Sequence, residues 1–134
     1  MSSYIILPPA MLGMLGGGQL GRFFVIAAHE MGYRVTVLDP DKNSPAGKIA
    51  DVHLCSAYDD AAALKTMAET CQAITTEFEN VPARTAEILS AYVPVLPSPS
   101  ALENTQDRLT EKHFIQSLGL ETAPIANVES LDAL

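Results

Sequence analysis

The stretch MLGGGQLGRF, Met14 to Phe23, sets glycines at positions 16, 17, 18 and 21 around a single amide, Gln19. Gly16, Gly18 and Gly21 have the spacing G-x-G-x-x-G, and the chemistry such a spacing serves is the holding of an anion. The first glycine allows a tight turn, the second lets a ligand approach the backbone, and the third lets a helix pack closely on a strand. A helix beginning there offers unpaired N–H donors and a field that favours negative charge. Asp39 follows Gly16 by 23 residues, where an acid could hold the ribose hydroxyls of a dinucleotide. On these residues three readings stay open: NAD, another phosphate-bearing ligand, or a strand–helix turn with no ligand.

Two further groups could do chemistry. CQAITTEFENVP ends an uncharged run in Glu77 and Glu79, which share one side if the strand continues that far, followed by Asn80. In a parallel sheet the carboxyl ends of the strands face the ligand crevice, so Glu77 would stand on the same rim as the glycines. A lone carboxylate there suits ribose hydroxyls or an amine; the alternative is a solvated loop acid. Arg108 and Lys112, one turn apart, could reach phosphates or could pair with Asp107 and Glu111 on a solvated face.

These residues need elements to position them. Met11 to Leu15 reads as a short strand, and Leu20 to Met31 as a helix with Phe23, Phe24, Ala27, Ala28 and Met31 on its apolar side, stopped by Gly32. YRVTVLDPD is a strand ending in acid, residues 45–50 a short helix or loop, and DVHLCSA a strand. A helix over Asp59 to Cys71, capped by Asp59 or Asp60, precedes the strand CQAITTEF, the helix NVPARTAEILSAY and the strand VPVLPSPS. Such alternation of short apolar strands with helices predicts an α/β fold, a parallel sheet with helices on both faces. From Pro97 a proline-serine linker leads to an amphipathic helix over Asp107 to Leu118, stopped by Gly119 and Pro124. VESLDAL reads as the opening of a further helix, which marks the chain as part of a longer one.

Composition narrows the partners. Of 134 residues 48% are hydrophobic and 18% charged, enough for one globular domain. With a net charge of -8 and only 8 Lys and Arg, unclustered, the chain lacks the basic footprint of a nucleic-acid binder. Cys55 and Cys71 form no CxxC and share no ligand spacing with His29, His53 or His113, so they read as free thiols of a cytoplasmic protein rather than a zinc site. The apolar run YIILPPAMLGMLG is broken by two prolines and is too short to span a bilayer.

GGGQLGRF, VTVLDPDKNSPAGKIAD, ITTEFENVP and PSPSALENTQDRLTEKHFIQSLGLETAP together resemble the N-terminal part of the N5-carboxyaminoimidazole ribonucleotide synthetases, purine-biosynthetic ligases of the ATP-grasp superfamily. The likeness covers nearly the whole chain beyond Met11, in order and spacing. It implies a Rossmann-like pre-ATP-grasp domain that takes no dinucleotide, its glycine loop facing a ribonucleotide whose phosphate lies over the loop. Gly18, Gln19, Leu20 and Glu77 would then bind that ribonucleotide, and Arg108 would reach the phosphates of ATP. Asp39 becomes a structural or loop-ordering residue.

The family carboxylates 5-aminoimidazole ribonucleotide with bicarbonate, using ATP and Mg2+, and commonly forms homodimers. The family usually starts abruptly at its first strand, so residues 1–10 depart from it as an N-terminal arm; the resemblance implies a ribonucleotide-binding domain over 11–98, and over 99–134 the start of the ATP-grasp central domain. Catalytic residues and metal ligands are expected beyond Leu134, which leaves these 134 residues inactive alone. The formate-dependent glycinamide ribonucleotide transformylase, with a glutamate where Gln19 stands, is the nearest rival; an NAD-dependent oxidoreductase and a nucleotide-sensing module are others.

Overall fold

In the computed structural model, which describes residues 5–128, five parallel strands carry the fold. They are β1 (Met11–Leu15), β2 (Arg34–Leu38), β3 (Val52–Leu54), β4 (Ala73–Thr76) and β5 (Val95–Leu96), in the order β3-β2-β1-β4-β5. The helices are α1 (Gln19–Glu30), α2 (Ala61–Thr70), α3 (Ala83–Ser90), α4 (Pro99–Gln106) and α5 (Arg108–Ser117). The sheet grows leftward from β1 to β2 and rightward from β1 to β4 and β5. Right-handed crossovers therefore place α1 on one face and α2 and α3 on the other. Alternation along β2 records this: Val35 and Val37 join Val25 and Ala28 of α1, whereas Leu38 joins Leu64, Met67 and Leu89 of the opposite face.

The expected α/β architecture is present, with two local differences. First, α1 buries Gly21, Val25 and Ala28, not the side carrying Phe23, Ala27 and Met31, which are exposed. The helix carries apolar residues on more than one side, and the side with Gly21 meets the sheet because it permits the closest approach: a Cβ on Gly21 would stand 2.9 Å from the Gly16 carbonyl oxygen. Second, the proline-serine linker is largely α4. Ser98 accepts from the Ala101 N–H at 3.2 Å as N-cap, Pro99 takes the first turn, and Leu102 is buried in the larger core. Of the helix or loop expected over residues 45–50, the structure has the loop, a run of turns. Asp60 is the cap of α2, accepting from the Ala63 N–H at 2.8 Å. The helix read into VESLDAL lies outside the described residues apart from Val128, which is not helical.

The larger core lies on the α2–α3 side. On the α1 side, no helix of the described residues covers β4 and β5, leaving a groove of about 490 Å³ lined by Leu12, Met14, Leu20, Phe24, Thr75 and Leu96 among others. Residues 5–10 of the expected arm run along the sheet's N-terminal edge, where Tyr33 donates to the Ile6 carbonyl at 2.9 Å. No described helix is long and apolar enough to cross a membrane.

Both cysteines are free thiols. Cys55 is exposed; Cys71 is buried, and burial pushes its thiol up, outweighing the hydrogen bonds of Thr70 and Thr36. A chromogenic thiol reagent at neutral pH is expected to titrate Cys55 in the native chain and Cys71 only after denaturation. Rapid reaction at both would contradict this packing.

Candidate functional site

The glycine loop between β1 and α1 is filled by the protein's own side chains. Gly16 adopts φ 99°, which turns the chain off β1. A Cβ there would stand 2.6 Å from Glu77 Cγ and 2.8 Å from Phe78 Cε1. At Gly17 it would meet Ser44 Oγ at 2.7 Å and Asp39 Cβ at 2.8 Å, and at Gly18 the Glu77 Oε1 at 2.7 Å. The glycines are needed because two acidic side chains close on the loop from either side.

Those acids also take its hydrogen bonds. Asp39 Oδ2 accepts from the Gly17 N–H at 2.7 Å, and the two oxygens of Glu77 accept from Gly18 at 2.7 Å and Gly21 at 2.5 Å. Glu77 thus sits at the N-terminus of α1, where the helix field and the orphan donors would otherwise hold a phosphate. A pyrophosphate has no free donor at Gly17, Gly18 or Gly21, and Asp39 is turned onto the loop rather than toward a ribose. This removes the geometry on which the dinucleotide reading rested; a phosphate over the loop would have to use other donors. Among the described residues the N–H groups of Gln19 and Leu20 remain without a partner, and both side chains are exposed.

The position of Glu77 comes from how β4 ends. Thr76 is its last residue, and the Thr76 hydroxyl donates to the Leu15 and Phe78 carbonyls at 3.2 and 2.9 Å. The strand stops before the expected Glu77–Glu79 alternation begins, and the bend turns Glu77 onto the loop while Glu79 is exposed. Beyond it, Gln106 at the end of α4 donates to the carbonyls of Glu79 and Val81 at 2.9 and 2.6 Å, tying this turn to α4.

Glu77 separates two openings. One is the apolar groove over β4 and β5; the other, of about 460 Å³, is lined by Thr76, Glu77, Glu79, Thr105, Arg108 and Glu111 among others. Arg108 is 81% exposed and pairs with Glu111 at 2.5 Å, so the guanidinium lies at the second opening already partnered. Asp107 caps α5 by accepting from the Thr110 N–H at 2.8 Å, and its bonds to Thr110 hold its carboxyl below the usual range. The structure thus brings Gly18, Gln19, Leu20 and Glu77 together at one rim, with Arg108 across the adjoining opening.

A parallel sheet with this loop, this acid and this order of helices has known counterparts. Residues 10–106 match the family described as the ribonucleotide synthetase preATP-grasp domain. The chain belongs to that family. The N5-carboxyaminoimidazole ribonucleotide synthase of Brucella melitensis is 42% identical over 134 residues, all of this chain and 37% of the relative. An N5-carboxyaminoimidazole ribonucleotide synthetase structure in complex with ADP superposes with a TM-score of 0.86 at 43% identity, over 91% of this chain and 32% of that one. The Aspergillus clavatus synthase, solved with ADP and 5-aminoimidazole ribonucleotide, superposes with a TM-score of 0.76 at 33% identity, over 86% of this chain and 31% of its own. The chain spans about a third of the length of these relatives.

One residue of the site escaped sequence reasoning. Tyr58, in the turn before α2, donates to Asp39 Oδ2 at 3.2 Å and sets its ring edge-on against Phe78 at 6.4 Å. A lone tyrosine in SAYDD carries no spacing that would have marked it.

Proposed function

We propose that this chain is the ribonucleotide-binding first domain of a cytoplasmic ATP-dependent ligase of de novo purine biosynthesis. The full-length enzyme carboxylates 5-aminoimidazole ribonucleotide with bicarbonate to N5-carboxyaminoimidazole ribonucleotide and works as a homodimer. Gly18, Gln19, Leu20 and Glu77 bind the ribonucleotide; Arg108 exchanges Glu111 for the phosphates of ATP. Residues from Pro99 onward lead into the central domain. ATP and Mg2+ are assigned mainly to segments outside this chain.

The observation that carries the reading is the engagement of Glu77 with the loop. With its oxygens fixed by Gly18 and Gly21, the carboxylate presents its remaining lone pairs outward as acceptors. That is a site for the hydroxyl donors a ribose carries, or for an amine, and not for a phosphate. The family membership and the complex of the Aspergillus clavatus relative support the same substrate class. In this arrangement the domain orients the ribonucleotide and leaves phosphoryl transfer to charges elsewhere.

Calorimetric titration of the full-length protein with 5-aminoimidazole ribonucleotide and, separately, with NAD is the test. Heat with the ribonucleotide alone is expected; heat with NAD alone overturns the proposal. Gln19→Glu adds a negative charge beside Glu77, and is expected to weaken ribonucleotide binding about tenfold while leaving ATP binding unchanged. Equal losses of both would sink the assignment of the loop to the ribonucleotide.

A further inference from the structure

Asp39 and Glu77 reach the glycine loop from different strands, β2 and β4, with β1 between them. One side chain touches the supports of both. The Tyr58 hydroxyl donates to Asp39 Oδ2, the same oxygen that accepts from the Gly17 N–H. Its ring lies at 64° to that of Phe78, which directly follows Glu77 and fills the space beside Gly16. The Tyr58 backbone is itself anchored, since its carbonyl accepts from the hydroxyl of buried Thr85 in α3 at 2.9 Å. The other oxygen of Asp39 accepts from the Asp41 N–H at 2.8 Å, so Tyr58 and Gly17 share the oxygen that faces the loop. Burial, then the charge and hydrogen bond of Asp39 and the charge of Glu77, push the Tyr58 phenol above its ordinary value, and it remains a donor throughout the physiological range.

We propose that Tyr58 is the positioning residue of this site: its hydroxyl fixes Asp39 under Gly17 and its ring fixes the Glu77–Phe78 turn, and together they set the spacing at which Gln19, Leu20 and Glu77 meet the ribonucleotide. Tyr58 touches no substrate atom; it acts through Asp39 and Phe78. The inference rests on the ribonucleotide reading above, but its first half concerns the loop alone.

The test uses the full-length protein with two substitutions and two readouts. Tyr58→Phe keeps the ring and removes the hydroxyl. It is expected to shift the Gly17 amide resonance with little change at Gly18 and Gly21, and to raise KM for 5-aminoimidazole ribonucleotide about fivefold with kcat and KM for ATP unchanged. Tyr58→Leu removes the ring contact as well. It is expected to move the Gly18 and Gly21 resonances too and to raise the same KM further.

Unmoved loop resonances in Tyr58→Leu would overturn the proposal, as would a KM for ATP that rises in step with that for the ribonucleotide. Shifted resonances with an unchanged ribonucleotide KM would overturn its substrate half. If the wild-type protein binds no ribonucleotide, it is the function reading that fails, and the amide resonances alone decide whether Tyr58 holds the loop.

Discussion

Replacing Gly16 with alanine is expected to destabilise the protein by about 2–5 kcal/mol, summing a backbone cost of about 1–2 and an overpacking cost of about 1–3. The backbone cost arises because Gly16 holds φ 99°, a region that L side chains rarely adopt. The packing cost arises because the new methyl would overlap Glu77 Cγ and Phe78 Cε1. Two other glycines separate these contributions. Gly119 has φ 79° with no atom within 4 Å, and Gly32 has φ 84° with Pro8 Cβ at 3.4 Å. Alanine at either should cost only the backbone part, about 1–2 kcal/mol. Urea unfolding of the three variants provides the comparison. A Gly16→Ala variant no less stable than Gly119→Ala would mean that Glu77 and Phe78 do not close on the loop.

The second large effect is at Glu77. Glu77→Gln turns an N–H2 toward the N–H of Gly18 or Gly21, donor against donor, and is expected to cost about 1–3 kcal/mol of stability. It also removes a charged acceptor from the proposed site, and ribonucleotide affinity should fall about 100-fold, the equivalent of about 2.7 kcal/mol, with ATP affinity unchanged. Glu77→Ala behaves differently. It frees both N–H groups at the start of α1 and leaves a hole of anionic shape. Inorganic phosphate at tens of millimolar should then raise the thermal midpoint of Glu77→Ala, by up to about 2.7 kcal/mol of stabilisation at a hundred times its dissociation constant, and leave the wild type unmoved. A wild type stabilised as strongly as the variant would show that Glu77 does not occupy the anion position.

Much of the fold was legible because its signals are local. Asp60 before α2, Asp107 before α5 and Gly32 after α1 each act within a few residues of their own position, and the apolar runs of β1 and β2 are unambiguous. The errors share a cause, which is competition between segments remote in sequence. Nothing in QLGRFFVIAAHE says which apolar stripe meets the sheet; that is decided by the closeness with which Gly21 can approach Gly16. In PSPSALENTQ the same Ser98 and Pro99 that suggest a linker form the start of a helix, and only the burial of Leu102 resolves the two. At the site, the spacing of the glycines identified the rim but not its occupant. That Glu77 and Asp39 would turn inward onto Gly17, Gly18 and Gly21 depends on where β4 stops and on the contacts of Tyr58.

The unequal cover of the sheet gives neighbouring residues different histories to expect. In β5, Val95 is 8% exposed within the larger core and Leu96 is 67% exposed over the open groove. Substitutions at Val95, Ile74 and Leu15 must preserve volume against α2 and α3, and few alternatives will pass that test. Leu96 and Thr75, one residue further along the same strands, line the open groove instead. Across descendants of this sequence the two sets should diverge at different tempos, so that each strand carries a slow and a fast position in alternation, a rhythm of period two written by the handedness of the crossovers.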